Sequence, residues 1–149
     1  MECTSADALL TFLNVRLSLL RPQAQTLLTI LVSKRGDFDS ADSVALEIGL
    51  KNRHQLAYLL DVEGLPTLQT LAAWIRLLTR LSDYENQGVT LCRCSLNEAR
   101  DPAFRYRLVK RLTGEEWTAV RSRGLTWLLE EFVARCYHPG KRNVEHTVA

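Results

Sequence analysis

A chain of 149 residues that is 46% hydrophobic and 24% charged has the size of one domain and the balance of a soluble globular protein, which excludes wholesale disorder. Its formal net charge of +2 is unevenly spread: residues 1–74 carry 6 Lys or Arg against 8 Asp or Glu, and residues 75–149 carry 13 against 9. Seven of those cations fall between Arg100 and Arg123, against three acids, and such a local excess points to one face turned towards a polyanion. No apolar run approaches the roughly 18 residues of a membrane span; the stretch 9–20 is broken by Asn14, Arg16 and Ser18. Four scattered cysteines make no disulfide framework at this size, and Glu2 stands where a secretory leader would be basic, so the expected location is cytoplasmic.

Taken in chain order, the punctuation is that of helices. Ser5 caps a predicted helix over 5–20, with Leu9, Leu10, Leu13, Leu17 and Leu20 on one stripe. Arg21-Pro22 ends it and opens a second helix that stops near Gly36. Ser40 caps a short helix over 41–48 closed by Gly49, and Asn52 caps another to about residue 63, closed by Gly64. Pro66 precedes a longer helix in which Leu68, Leu71, Ile75 and Leu78 recur, running out at Ser82-Asp83 before a polar loop over 84–88. Further helices are expected at 90–99, at 102–113 before Gly114, at 115–123 and at 125–137, followed by a loose tail over 139–149. Period-two alternation is not sustained anywhere, so the fold class is all-α.

Two stretches, residues 43–74 and 90–121, repeat one plan: short helix, tight turn, longer helix, glycine, helix. Two short helices joined by a tight turn describe the helix-turn-helix unit, whose second helix enters the major groove N-terminus first. The expected fold is therefore two helix-turn-helix units joined by a longer linker helix, with an extra N-terminal and a C-terminal helix. It divides into an N-terminal helix (1–21), a first unit with the linker helix (22–83), a second unit with the C-terminal helix (84–138) and the tail. In the first unit Ala45, Ile48 and Leu50 would pack on Leu56, Leu59 and Leu60, leaving Lys51, Asn52, Arg53, His54 and Gln55 at the exposed start of the second helix. Such side chains bind phosphate and base edges, Arg preferring guanine and Gln adenine. In the second unit Arg107, Lys110 and Arg111 form one i, i+3, i+4 cluster suited to phosphate; Arg105 lies nearer the helix start, and Arg121 follows the next turn.

The run Ala45-Leu-Glu-Ile-Gly49-Leu50, then Arg53-His54-Gln55-Leu56 and Gly64-Leu-Pro66, resembles the AraC/XylS DNA-binding region, as does Arg107-Leu-Val-Lys110-Arg111-Leu-Thr-Gly114 followed by Trp117. The likeness spans about residues 27–121. It implies two helix-turn-helix units joined by one long helix, binding to specific double-stranded DNA, and control of transcription. Ala57 and Tyr58 stand where that family favours a basic residue, and Trp117 replaces a proline, so the implied relationship is divergent.

Other readings compete for the same residues. A protein–protein adaptor on a degenerate helix-turn-helix fold is the main alternative, because Asp37, Asp39, Asp42, Glu47, Asp61 and Glu63 surround the first unit; the N-terminal helix is then available for self-association. Glu115, Glu116, Glu130 and Glu131 can neutralise the arginine cluster. Cys92, Cys94, Cys136 and His138 have the donor types of a zinc site but a tighter spacing than usual, and buried free thiols are the plainer outcome. Trp74, Trp117 and Trp127 read as core. With three histidines and no glycine-rich phosphate loop, Gly-x-Ser-x-Gly or His-Glu-x-x-His, neither an enzyme nor a cofactor is expected. The 15 to 4 excess of arginine over lysine matches GC-rich bacterial usage.

Overall fold

A computed structural model describes residues 5–87 and 102–138, and among these the chain is all-helical with no strand. The helices are α1 (Ser5–Arg16), α2 (Pro22–Ser33), α3 (Ala41–Glu47), α4 (Arg53–Val62), α5 (Leu68–Gln87), α6 (Pro102–Thr113), α7 (Trp117–Arg123) and α8 (Leu125–Cys136). Local chemistry accounts for their ends. Pro22 occupies the first turn of α2, where its missing N–H costs nothing. Ser40 caps α3 by accepting the Ser43 N–H at 3.1 Å, and the Ser43 hydroxyl returns the contact to the Ser40 N–H. Asn52 caps α4 by accepting the Gln55 N–H at 3.0 Å.

α5 is the axis of the molecule. From Leu71 to Asp83 every residue except the half-buried Arg76 is out of solvent, and α1, α2, α6 and α8 pack around it. Leu9 and Leu13 bring α1 to it, Leu27, Leu28 and Leu31 bring α2, and Phe132 of α8 meets Trp74 with ring centroids 5.7 Å apart. Polar groups on so buried a helix need partners. Asp83 pairs with Arg35, Arg76 donates to the Gly36 carbonyl at 2.7 Å and pairs with Asp37 at 3.6 Å, and the Thr79 hydroxyl returns to the Arg76 carbonyl at 2.9 Å.

Three expectations from the sequence need correction. α1 stops at Arg16, not near Leu20, because residues 17–20 turn so that Leu17 and Leu20 both reach the core ahead of Arg21-Pro22. α5 starts at Leu68, where the Thr67 hydroxyl accepts the Thr70 N–H at 3.3 Å. It then runs a turn past Ser82-Asp83, so the polar loop expected at 84–88 is helical through Gln87 and the boundary drawn at 83/84 falls inside a helix. The extra turn is held by tertiary contacts: Tyr84 stands edge-on to Trp117 at 6.3 Å, and the Glu85 carboxylate accepts the Leu125 N–H at 2.8 Å, capping α8. Trp127 is half-buried rather than core, with the Arg123 guanidinium 4.8 Å over its ring. The helix expected at 90–99 and the tail over 139–149 lie outside the described residues.

The end of α8 is stitched to the α4–α5 junction. The His138 N–H donates to the Gly64 carbonyl at 2.8 Å, and a Cβ at Gly64, where φ is +77°, would lie 2.2 Å from the His138 carbonyl oxygen. Gly114 has nearly the same φ, +78°, with open space around it. We expect Gly114→Ala to lower unfolding free energy by about 1–2 kcal/mol, the left-handed strain alone. Gly64→Ala should cost at least about 1 kcal/mol more, since backbone must also move. Urea denaturation of the two variants checks this; equal costs would mean that the His138 contact contributes nothing.

Candidate nucleic-acid interface

α3 and α4 pack through Val44, Ala45, Ile48, Leu56, Leu59 and Leu60, all buried, with Leu50 partly so; the seam expected from the sequence is the one formed. The turn between them leaves Lys51, Asn52, Arg53, His54 and Gln55 exposed. Two of these five are engaged in shaping the turn: Asn52 is the cap, and the Gln55 amide oxygen accepts the Lys51 N–H at 2.9 Å. Lys51, Arg53 and His54 present their side chains outward. Asp42, which the sequence reading placed only in the acidic surroundings of this unit, joins them directly, because its carboxylate accepts the Arg53 N–H at 2.8 Å and so sits on the positive end of α4. The signal for it was an acidic residue in the first turn of a helix immediately preceding the motif.

On α6, Leu108 and Val109 are buried and Leu112 half-buried, which turns Arg107, Lys110 and Arg111 to solvent together. The expected i, i+3, i+4 cluster therefore exists as one exposed face. Arg121 is drawn off to α5, its guanidinium 5.3 Å from the Tyr84 ring centroid. The side chain of Arg105 lies outside the described residues, as do Cys92 and Cys94.

Ion pairing sorts the cations. Arg16 pairs with Glu130, Arg21 with Glu63 at 3.1 Å, Lys34 with Glu47 at 2.9 Å, and Arg123 with Glu115 at 3.1 Å. Arg135 pairs with Glu131 at 2.9 Å, alongside the Arg35 and Arg76 pairs above. Lys110 meets Glu116 at 2.9 Å, and that hydrogen bond and charge hold its ammonium above the usual lysine range. The side chains of Lys51, Arg53, Arg107 and Arg111 make no ion pair with a described residue, and all four belong to the set expected to bind a polyanion. Glutamates thus neutralise Lys110 and Arg123 but leave the ends of the α6 cluster open.

Of the zinc-type donors, Cys136 is a buried free thiol, while His138 is exposed and hydrogen-bonded through its backbone to Gly64. Among the described residues no three His, Cys, Asp or Glu are grouped to hold a metal ion, and no helix is long and apolar enough to cross a membrane. No protein-family model, curated protein or solved structure matches the chain.

Burial pushes the Cys136 thiol up to about 12, against a small opposing effect of the Arg135 charge. The folded chain thus holds this proton more tightly than the unfolded one. The associated stability is intact below the ordinary value of 9.0 and is lost as pH rises towards 12. At pH 8 we expect iodoacetamide to leave Cys136 unmodified in native protein and to label it fully in denaturant, as peptide mapping would show. Native labelling at the rate of an exposed thiol would contradict the burial.

Proposed function

We propose that this protein is a DNA-binding transcriptional regulator, a divergent relative of the AraC/XylS double helix-turn-helix type, and not an enzyme. The observation that carries the reading is the selective pairing of its cations. Eight arginines and lysines are matched by carboxylates, whereas Lys51 and Arg53 at the open end of α4, and Arg107 and Arg111 one helical turn apart on α6, are left for an external anion. In this reading α4 reads base edges through Arg53 and His54, and α6 grips the phosphate backbone. The buried helix α5 supports α6 directly, while α4 is backed by α3.

One observation favours the adaptor reading for the first unit. Asp42 occupies the N-terminus of α4, where a phosphate or guanine edge would otherwise approach, and nearby helix faces expose Leu46 at 64% and Tyr58 at 69%. A protein partner tolerates that mixture better than a polyanion does.

A gel shift with random-sequence duplex separates the two, and selection from a random oligonucleotide pool then defines the site. Three phosphate contacts, from Lys51, Arg107 and Arg111, should weaken binding about fortyfold between roughly 50 and 200 mM salt. Arg107→Ala and Arg111→Ala should each weaken every sequence alike and lower the salt slope by about one, while Arg53→Ala should change sequence preference. Arg135→Ala, which removes a cation already paired with Glu131, serves as the control with little effect. Absence of any retarded complex at low salt would hand the first unit, and the protein, to the adaptor reading.

A further inference from the structure

An open groove of about 780 Å³ runs along α4 between that helix, the segment 38–41 and the start of α5. Its floor is apolar, formed by Leu56, Leu60 and Leu65, and its rims carry the carboxylates of Asp39 and Asp61. Arg53 and His54, the residues assigned above to base reading, stand at its far end. Such a surface fits an extended segment that combines basic and aliphatic side chains.

The chain itself supplies one at the right place. The His138 backbone is bonded to Gly64, and Leu65 and Pro66, the next two residues after Gly64, line the groove. Residues 139–149 therefore start beside its near end, with Lys141 and Arg142 for the acidic rims and Val144 and Val148 for the floor. α4 is about 15 Å long at 1.5 Å per residue, and eleven residues of extended chain reach roughly 36 Å, so length is sufficient. The geometry points to residues 139–149 docking along this groove in the same molecule. A docked segment covers Arg53 and His54, so docking and DNA binding by α4 compete; that consequence, unlike the docking, rests on the function proposed above.

The test is photo-crosslinking in the full chain, with benzoylphenylalanine placed at the exposed, groove-lining Ala57 and, separately, at Gln69 so that a bulky probe in one position does not block the result. After irradiation, tryptic mapping should find adducts to residues 139–149 in monomeric protein, at a yield independent of concentration. Thr126, an exposed residue near the opposite end of α8, should give no such adduct. The pair Lys141→Glu and Arg142→Glu should lower the yield severalfold, with the far-UV circular dichroism unchanged. Adducts absent from both groove positions, found only in covalent dimers, or equally strong at Thr126 would overturn the docking. Adding duplex separates the two claims. Bound duplex that leaves the yield unaltered overturns the competition, whereas a failure to bind duplex at all counts against the DNA reading and not against docking.

Discussion

The burial of α5 from Leu71 to Asp83, broken only at the half-buried Arg76, is the constraint from which the rest of the molecule follows. A helix with water on one flank can keep its charges there; this one must satisfy Asp83, Arg76 and Thr79 inside the structure, through Arg35, Asp37 and neighbouring carbonyls. The contacts to Arg35, Gly36 and Asp37 pin the loop after α2 to the axis and thereby set where α3 begins. The turn added by Tyr84 and Glu85 does the same at the other end, placing α7 and α8. Of the two candidate binding elements, α6 packs directly on this rod, whereas α4 packs on α3.

A second constraint is electrostatic. An exposed ion pair contributes little to stability, on the order of 0–1 kcal/mol, so its arrangement is better read as a map of where charge is left over. The same glutamates that trim the basic region at Lys110 and Arg123 leave it open at Arg107 and Arg111. Near α4 the balance differs, since Asp42 offsets the helix dipole just where Arg53 emerges. The two halves of the molecule are therefore unlike as anion receptors, and α6 is the less encumbered.

Much of this architecture was legible in the sequence because it is decided locally. Ser40, Asn52 and Pro22 announce helix starts through bonds to residues within a turn, and Gly64 and Gly114 announce ends through a backbone conformation that other residues resist. The α3–α4 seam followed from apolar spacing alone. What escaped was set by partners far away in the chain. Tyr84 and Glu85 read as loop residues until Trp117 and the N-terminus of α8 engage them, 33 and 40 residues on. The choice of Lys110 over Arg107 as the partner of Glu116, and the stacking of Arg121 on Tyr84, depend on side-chain direction after packing, which composition does not encode. Gln55 looked like a base reader by residue type, yet the turn it helps close uses its amide oxygen first.

The bond between His138 and Gly64 also bears on the order in which the chain can mature during synthesis. Residue 64 and everything needed for α3 and α4 are made early, but the atom that completes their junction with α5 belongs to residue 138. At a ribosomal rate of about 5–20 residues per second, that junction waits several seconds for its last neighbour. Until then the amino-terminal half carries an open seam at its base, a window during which a chaperone, or the half's own apolar surfaces, has access to what the finished protein conceals.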